Sequence, residues 1–367
     1  MKALEQLRSV GQSIWLDFLR REMITSGHLD RLRREDFVTG ITSNPSIFNK
    51  AISQGSDYDE GVQDLAAAGR VEPRDIYYDL ALRDVRMAAD VLRPVYEETA
   101  GRDGFVSFEL DPALAHDTAG SVASAKSLVA RIGRPNIMIK VPGTDEGVLA
   151  VEQLTAMGVN VNITLLFSVQ MYEKVAWAYI AGLEDRLRAG KPIAQIASVA
   201  SFFVSRVDTV VDRQLPAGSG SRGKVAIANS KLAYQRFQAI FSGERWQRLT
   251  AAGAAPQRVL WASTGTKNPA YSDVLYVEEL VGPETVNTMP EKTLEAFRDH
   301  GRVRPLAITE GVDDASAIVA GLGAQGISLD AVTGQLLEDG LKTFTADLGE
   351  LLRVIEQKRL QVRAGRS

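Results

Sequence analysis

Residues 136–167 read NIMIK-VPGT-DEGVLAVEQLTAMG-VNVNITLLF and contain the pattern that decides the fold. A short apolar run, Asn136–Val141, leads into a proline-glycine turn, a stretch of helical periodicity and a second apolar run, Val159–Leu165. Asp145 and Glu146 stand where the start of a helix favours negative charge. The segment therefore predicts a β-strand, an α-helix and a second strand parallel to the first.

The same alternation continues along most of the chain and predicts eight strands. They are Ser13–Asp17, Val38–Ser43, Phe105–Glu109, Asn136–Val141, Val159–Leu165, Ile196–Ser201, Val259–Ser263 and Val286–Met289. Helical periodicity between the strands predicts helices over Thr118–Ile132, Asp145–Met157, Val169–Ala189 and Lys231–Phe241. Eight repeats favour an α/β fold of the (β/α)8 TIM-barrel type over an open parallel sheet.

Three segments are additional to the strands and helices of a minimal barrel. Asp57–Thr99 is long for one crossover and predicts extra helices, and the chain from about Val312 onward, including Leu329–Arg359, predicts a helical tail on the barrel exterior or over its mouth. Leu215–Gly223 has the composition of a flexible surface loop. We expect residues 1–367 to form a single barrel domain, with about 312–367 as additional helices. The sequence leaves open whether the loop or the tail gates the barrel mouth.

Composition argues against several classes of function. The net charge of −4 is unlike that of a nucleic-acid-binding surface. The chain has no cysteine, and its three histidines lack the helical spacing of a metal-ligand pair, so we predict neither thiol chemistry nor a metal site. The amino terminus is charged throughout, and no apolar run approaches the roughly 18 residues of a membrane span. These features predict a soluble, cytoplasmic protein.

Polar side chains stand at the carboxyl ends of the predicted strands, where barrel enzymes carry their catalytic groups. In chain order they are Asp17, Thr42, Asn44, Glu109, Lys140, Asn162, Thr164, Ser201 and Ser263. Because the carboxyl ends of all strands meet at one face of a barrel, we expect these side chains to share a pocket.

Lys140 ends an apolar strand, where a charged amine is costly to bury. One interpretation places its stem along apolar surface and its amine in water. The other makes it a desolvated, neutral nucleophile that forms a Schiff base with a ketone. Asp17 and Glu109 are candidate acid/base groups for such chemistry, and an ion pair without catalytic role is the alternative for each.

The amides and hydroxyls are individually weaker candidates. Asn44 precedes Pro45 and is more typical of a helix cap than of a ligand-binding group. Asn162 and Thr164 alternate along one strand and therefore point to the same side. Pointing inward, they are placed to bind substrate hydroxyls; pointing outward, they would leave polar groups unpaired against helices.

Four motifs resemble the transaldolase family, most closely its longer bacterial branch, some members of which are fused to glucose-6-phosphate isomerase. They are GITSNPSIF at 40–48, VSFELD at 106–111, IMIKVPGT at 137–144 and GVNVNITLLF at 158–167. The resemblance spans about Ser13–Met289. It implies transfer of a dihydroxyacetone unit from sedoheptulose 7-phosphate or fructose 6-phosphate to glyceraldehyde 3-phosphate or erythrose 4-phosphate, in the pentose phosphate pathway and without metal or organic cofactor.

The resemblance also implies roles for individual residues. Lys140 matches the Schiff-base lysine, and Asp17 matches the carboxylate that deprotonates the sugar hydroxyl. Glu109, with Thr164 sharing a water, matches the group that serves dehydration and hydrolysis of the imine. Substrate-binding positions are matched by Thr42, Asn44, Asn162, Ser201, Phe203, Arg206 and Ser263, with Arg206 and Ser263 at the phosphate.

One departure from the family concerns the phosphate site. The better-known branch has an arginine two residues after the serine matched by Ser263, whereas this chain has Gly265 there. The nearest cation is Lys267, which we assign to phosphate, with an exposed surface lysine as the alternative. Loops after the seventh and eighth strands of barrels often bind phosphate.

Two other functions compete with transaldolase. Fructose-6-phosphate aldolase shares the fold and the lysine but releases free dihydroxyacetone; that branch resembles a shorter chain with glutamine at the position of Glu109 and tyrosine at that of Phe203. A non-catalytic sugar-phosphate-binding barrel would need Lys140 charged and permanently paired. We expect sugar phosphates as partners and neither nucleic acid nor membrane, and a monomer and a homodimer both stay open.

Overall fold

Eight parallel strands form a closed barrel in the computed structural model, which describes residues 2–364. The strands are β1 Gln12–Leu16, β2 Val38–Thr42, β3 Phe105–Glu109, β4 Ile137–Pro142, β5 Val161–Leu166, β6 Ser198–Phe203, β7 Arg258–Ala262 and β8 Thr285–Met289. Each strand pairs with its sequence neighbours, and β1 closes the barrel against β8 with Trp15 opposite Thr288. The eight predicted strands are confirmed, and no strand end differs from its predicted position by more than two residues.

Sixteen α-helices lie within residues 2–364. They are α1 Ala3–Ser9, α2 Arg21–Thr25, α3 His28–Glu35, α4 Pro45–Ser53, α5 Asp59–Ala67, α6 Pro73–Glu98, α7 Thr118–Ile132, α8 Asp145–Met157, α9 Val169–Arg188, α10 Ser205–Gln214, α11 Val225–Ile240, α12 Glu244–Ala251, α13 Leu275–Glu279, α14 Glu291–His300, α15 Val312–Gly321 and α16 Leu329–Ala364. The fold is therefore the expected (β/α)8 barrel, with α5 and α6 as the predicted extra helices and α15 and α16 as the predicted tail.

Local capping explains where the helices after the strands begin. The side chain of Asn44 accepts a hydrogen bond from the Ile47 N–H at 2.9 Å and caps α4, whose first residue is Pro45. Thr144 caps α8 in the same way through the Gly147 N–H. Each cap follows its strand directly, so the strand end and the helix start are held at the same face of the barrel.

One helix begins earlier than its sequence predicts. We expected a helix over Lys231–Phe241, whereas α11 starts at Val225. The carboxylate of Asp208, on α10, accepts a hydrogen bond from the Ala226 N–H at 2.7 Å. This cap comes from another helix, and local sequence carries no sign of it. The preceding segment, Leu215–Gly223, contains neither helix nor strand, as expected.

The amino-terminal half of the barrel interior is filled by side chains. Trp15 is fully buried and occupies the space beside Gly40, where an added Cβ would lie 2.3 Å from the indole ring. At the amino-terminal end, the buried Asp103 carboxylate accepts hydrogen bonds from Trp15, Ser13 and Thr39. Side chains fill this end of the barrel, so open space is left to the opposite end.

The carboxyl-terminal helix packs across the barrel rather than away from it. α16 contacts α4, α5, α6 and α10, and Leu341, Phe344 and Leu348 on α16 are buried. Among the described residues, no single helix meets the length and hydropathy of a membrane span. The pair Val312–Gln325 and Leu329–Leu360 meets them only when joined, and the two helices are bent by 91°.

Candidate active site

A cavity of about 480 Å³ opens at the carboxyl ends of the strands. Ten of the twelve predicted site residues line it, namely Asp17, Thr42, Asn44, Lys140, Thr164, Ser201, Phe203, Arg206, Ser263 and Lys267. The other two, Glu109 and Asn162, are buried directly behind this lining and contact Lys140 and Ser201. The structure therefore brings all twelve residues together.

Lys140 is buried in the wall of this cavity, with 3% of its surface exposed. Its amine donates a hydrogen bond to the Ser43 carbonyl at 3.0 Å and lies 3.1 Å from Oε2 of Glu109. Among residues 2–364, one carboxylate and one carbonyl hold the amine, and Lys140 also lines the cavity. The interpretation that places the amine in bulk water is wrong, because the side chain ends in a buried pocket.

Glu109 ends β3 opposite Lys140 on β4. Burial raises the pKa of the Glu109 carboxyl, while the neighbouring Lys140 charge opposes the rise and the negative charge of Asp17 adds to it. A carboxyl whose protonated form is favoured in this way, next to an amine, is suited to hand a proton to a departing water and take it back.

Asp17 is held by a hydroxyl pair from two neighbouring strands. Thr42 donates to Oδ1 of Asp17 at 2.7 Å, and its hydroxyl also lies 2.8 Å from that of Thr288. The contact with Thr42 fixes one carboxylate oxygen of Asp17, which lines the cavity. A carboxylate fixed in this way can act as a base without first reorienting.

Asn162 is oriented by two serines inside the barrel. Its amide donates to the Ser107 hydroxyl at 3.0 Å, and its carbonyl oxygen accepts from the Ser201 hydroxyl at 2.6 Å. The inward alternative for this strand is therefore correct. Thr164, on the same face of β5, lines the cavity and its buried hydroxyl has no hydrogen-bond partner within residues 2–364. That hydroxyl is free to bind a substrate group or a water.

Asn44 serves as a helix cap and a cavity residue at once. Its Oδ1 is occupied by the Ile47 N–H, which leaves the amide Nδ2 to donate into the cavity. The two interpretations of Asn44 that the sequence left open are thus compatible.

Three cations line the same cavity. Arg206, in the first turn of α10, stacks over the Phe203 ring at 5.1 Å, and burial lowers the pKa of its guanidinium. Lys267 is exposed as a residue, but partial burial of its amine and the Arg206 charge lower the pKa of Lys267. Lys50, on α4, adds a third positive charge. Cations that lower the pKa of a neighbouring cation in this way favour the binding of an anion between them.

Gly265 explains how Lys267 reaches the cavity. A Cβ added at Gly265 would lie 3.9 Å from Nζ of Lys267, so the lysine amine occupies the region that a longer side chain at 265 would enter. Ser263, two residues earlier, adopts a left-handed backbone with φ of 56°, which costs about 1–2 kcal/mol for a residue other than glycine. Its hydroxyl lies 3.0 Å from that of Ser205 at the start of α10.

Nine lining residues escaped the sequence interpretation, among them Lys50, Thr288, Glu291 and Phe344. Thr288 stands near the end of the eighth strand, so the rule that found the other strand ends would have found it too. Glu291 begins α14 and lies 2.9 Å from Nε2 of His28. Phe344 comes from α16, and no local pattern connects that helix to a barrel mouth.

A hydrogen bond joins α16 to α4 at the wall of the cavity. Ser46, also a lining residue, donates a hydrogen bond to Asp347 one turn after Phe344. The carboxyl-terminal tail therefore closes one side of the cavity. No group of three or more His, Asp or Glu residues in the described chain is arranged to hold a metal ion.

Comparison with known proteins adds independent evidence. Residues 14–355 match the family described as Transaldolase/Fructose-6-phosphate aldolase. The chain is 49% identical over 357 residues to Transaldolase 1 of Streptomyces avermitilis, covering 96% of this chain and 94% of that protein. It is likewise 49% identical to a transaldolase of Saccharopolyspora erythraea, covering 97% of each chain, and 46% identical to Transaldolase 2 of a Nostoc species, again with 97% of each covered. A match over nearly the whole length, joined to a closed barrel with a buried lysine at its mouth, places this chain in the transaldolase/fructose-6-phosphate aldolase family.

Proposed function

We propose that this protein transfers a dihydroxyacetone unit from sedoheptulose 7-phosphate or fructose 6-phosphate to glyceraldehyde 3-phosphate or erythrose 4-phosphate, through a Schiff base on Lys140. The observation that carries the proposal is the buried Lys140–Glu109 pair, at 3.1 Å, in a cavity that also contains Asp17 and three cations. The names of the relatives support the transaldolase branch of the family.

Lys140 attacks the C2 ketone of the donor, and loss of water gives a protonated imine. Glu109 supplies the proton for that loss and accepts it again on hydrolysis, with a water held by the free hydroxyl of Thr164. The protonated imine then takes up the electron pair of the breaking C3–C4 bond. No metal or organic cofactor is needed for this step.

Asp17 takes the proton from the C4 hydroxyl as the C3–C4 bond breaks and the aldose phosphate leaves as an aldehyde. Its orientation by Thr42 supports this role. The enamine that remains on Lys140 attacks the aldehyde carbon of the acceptor, and Asp17 returns the proton to the new hydroxyl. Asn44 and Asn162, with Thr42 and Ser201 beside them, hold the dihydroxyacetone hydroxyls while the aldehydes exchange.

The phosphate of either substrate is bound by Arg206, Ser263 and Lys267. The proximity of the Arg206 and Lys267 charges supports this assignment, as does the space that Gly265 leaves for the lysine amine. Phe203 packs on Phe167, with ring centroids 5.3 Å apart, and forms an apolar wall under the guanidinium. Where the family's better-known branch places an arginine, this chain uses a lysine two residues later.

Two competing functions make different predictions at named residues. An aldolase that releases free dihydroxyacetone is disfavoured because Glu109 and Phe203 are the residues that the resemblance associates with transaldolase. The contacts of the Lys140 amine with Glu109 and one carbonyl fit both an enzyme and a non-catalytic binding barrel, and the names of the relatives favour the enzyme. We further propose that the whole chain acts as one domain in the cytoplasm, as a monomer or a homodimer.

The test is release of glyceraldehyde 3-phosphate from fructose 6-phosphate, with and without erythrose 4-phosphate, followed by borohydride trapping. We expect acceptor-dependent turnover and a reduced adduct on Lys140, both lost in Lys140→Met. Lys231→Met is the matched control, because Lys231 is a second buried lysine that lies outside the barrel mouth, donates to the Glu310 carbonyl and pairs with Glu279. Turnover without acceptor would identify an aldolase, and wild type without turnover or adduct would leave a binding barrel.

A further inference from the structure

Two buried carboxylates lie one helical turn apart on α10, outside the cavity. Asp208 and Asp212 are 1% and 7% exposed, and the mechanism uses neither of them. Because residues four apart share one face of a helix, both point toward the same neighbouring segments. Such a pair is costly to bury, so its hydrogen-bond partners indicate what it holds in place.

Asp212 joins two segments that are far apart in sequence. It accepts a hydrogen bond from the Tyr271 hydroxyl at 2.7 Å and another from the Gly223 N–H at 3.0 Å. Gly223 has φ of 69°, and a Cβ there would lie 2.8 Å from the Tyr271 ring. The tyrosine is therefore seated against the loop end as well as bonded to the carboxylate.

Tyr271 belongs to the loop that carries Lys267. That loop is closed by a hydrogen bond from the Thr266 hydroxyl to the Ser272 carbonyl at 2.8 Å and by a turn from Asn268 to Tyr271. The backbone of Lys267 lies inside this closed loop, so a shift of Tyr271 moves the lysine with it.

The first turn of α10 carries Arg206, and its last turn carries the carboxylate that holds Tyr271. One rigid helix thus fixes the spacing between the two cations. We propose that the Asp212–Tyr271 hydrogen bond is a positioning pair that holds Lys267 beside Arg206 and so sets the preference for phosphorylated over unphosphorylated substrates. The inference rests on the proposed function only in taking these two cations as the phosphate site.

Asp208 and Tyr276 provide a matched control within the same cluster. The Tyr276 hydroxyl donates to Asp208 at 2.9 Å, which is the same bond one turn earlier on α10. Tyr276 lies in α13, beyond the closed loop, and Asp208 holds the start of α11 rather than the Lys267 loop. Tyr271→Phe and Tyr276→Phe remove the same group, but only the first releases Lys267.

The experiment uses saturating sedoheptulose 7-phosphate as the donor throughout, so that the assays differ only in the phosphate of the acceptor. We compare kcat/KM for glyceraldehyde 3-phosphate and for glyceraldehyde in wild type, Tyr271→Phe and Tyr276→Phe. We expect Tyr271→Phe to reduce the ratio of the two values by about 5- to 30-fold through KM for the phosphorylated acceptor, with kcat and the glyceraldehyde values unchanged. Tyr276→Phe should leave the ratio as in wild type.

Two further variants separate positioning from general destabilisation. In the double variant Lys267→Met/Tyr271→Phe, the tyrosine change should add nothing to Lys267→Met, because the two residues act through one contact. Asp212→Asn keeps an acceptor oxygen and should retain more of the preference than Asp212→Ala. Additive losses, equal losses with both acceptors, or an unchanged ratio in Tyr271→Phe would each overturn the inference.

A binding measurement keeps this test separate from the proposed reaction. Inorganic phosphate is titrated by calorimetry into wild type, Tyr271→Phe and Tyr276→Phe. Weaker binding in Tyr271→Phe alone supports the positioning pair even if no acceptor is turned over, in which case only the proposed reaction fails. Equal binding in all three overturns the inference whatever the turnover.

Discussion

At the scale of single residues, burial raises the pKa of two carboxyls that serve different ends. Glu109 lies beside a lysine, whose charge opposes the rise. Among residues 2–364, Asp208 forms no ion pair and is held by the Ala226 N–H and the Tyr276 hydroxyl, so burial raises its pKa to about 7. The environment of Glu109 suits proton exchange with substrate. The environment of Asp208 makes the stability of the fold depend on pH.

Replacement of Asp208 should change how stability depends on pH. In the unfolded chain the carboxyl ionises near pH 4, whereas in the folded chain it keeps its proton to about pH 7. The folded state therefore binds more protons between these values, and wild type loses stability as pH rises through that window. Asp208→Asn does not titrate, so its free energy of unfolding relative to wild type should rise by about 1–3 kcal/mol from pH 5 to pH 8.

Urea denaturation of both proteins at the two pH values measures this difference. If the difference in free energy of unfolding between the two proteins is the same at pH 5 and pH 8, Asp208 ionises in the folded chain as it does in the unfolded chain.

The sequence could predict a site residue when a local pattern sets its place in the fold. Lys140, Glu109 and Thr164 stand at strand ends, and the topology of a parallel barrel brings such ends together whatever the details of packing. Phe344 and Lys50 come from helices whose placement depends on tertiary contacts. The orientation of Asn162 by Ser107 and Ser201 likewise required the register of three strands.

At the scale of elements, the strands were predicted closely because short β-branched runs bounded by turns are a local pattern. The start of α11 was predicted six residues late, since its cap, Asp208, lies on another helix. The sequence interpretation gave no bounds for α10. This helix carries both Arg206 and Asp212 and so organises one side of the phosphate site.

The contact between α16 and β5 is close enough to test by substitution. An added Cβ at Gly340 would lie 2.9 Å from a methyl group of Leu165, the residue after Thr164. Gly340→Val should therefore push the helix outward, cost about 1–3 kcal/mol of stability and raise KM several-fold, because Phe344 moves with it. Thermal unfolding and steady-state kinetics measure the two effects.

Gly349→Val is the control in the same helix, because nothing lies within 4 Å of a Cβ at that position. Valine has a higher helix propensity than glycine, so this variant should gain a few tenths of a kcal/mol. If both variants behave alike, α16 does not press on β5.

At the scale of the whole molecule, the two ends of the barrel have different roles. The amino-terminal end contributes to stability, and the carboxyl-terminal end carries the candidate site. The amino-terminal end contains the Asp103 cluster, with hydrogen bonds from Trp15, Ser13 and Thr39 and an ion pair at 3.7 Å to Arg258. The carboxyl-terminal end holds the cavity, which is lined by Lys140 and by Thr164, whose hydroxyl has no partner among residues 2–364.

Asp103→Ala should separate these two properties. Removal of the carboxylate leaves several buried donors without an acceptor, which should cost about 2–4 kcal/mol of unfolding free energy. The KM and kcat of the folded variant should stay at wild-type values, since the change lies at the opposite end from the cavity. Urea denaturation and kinetics at low temperature test both statements, and a large rise in KM would contradict the division.

The contribution of α16 to the cavity also has a consequence for synthesis. A ribosome delivers β1 to β8 before Phe344, so a nascent chain can close its barrel while one wall of the substrate cavity is still missing. Chains released before residue 344 would retain Lys140 and the other strand-end groups yet lack that wall. The wall of the cavity is therefore complete only after Phe344, halfway along the final helix, has been made.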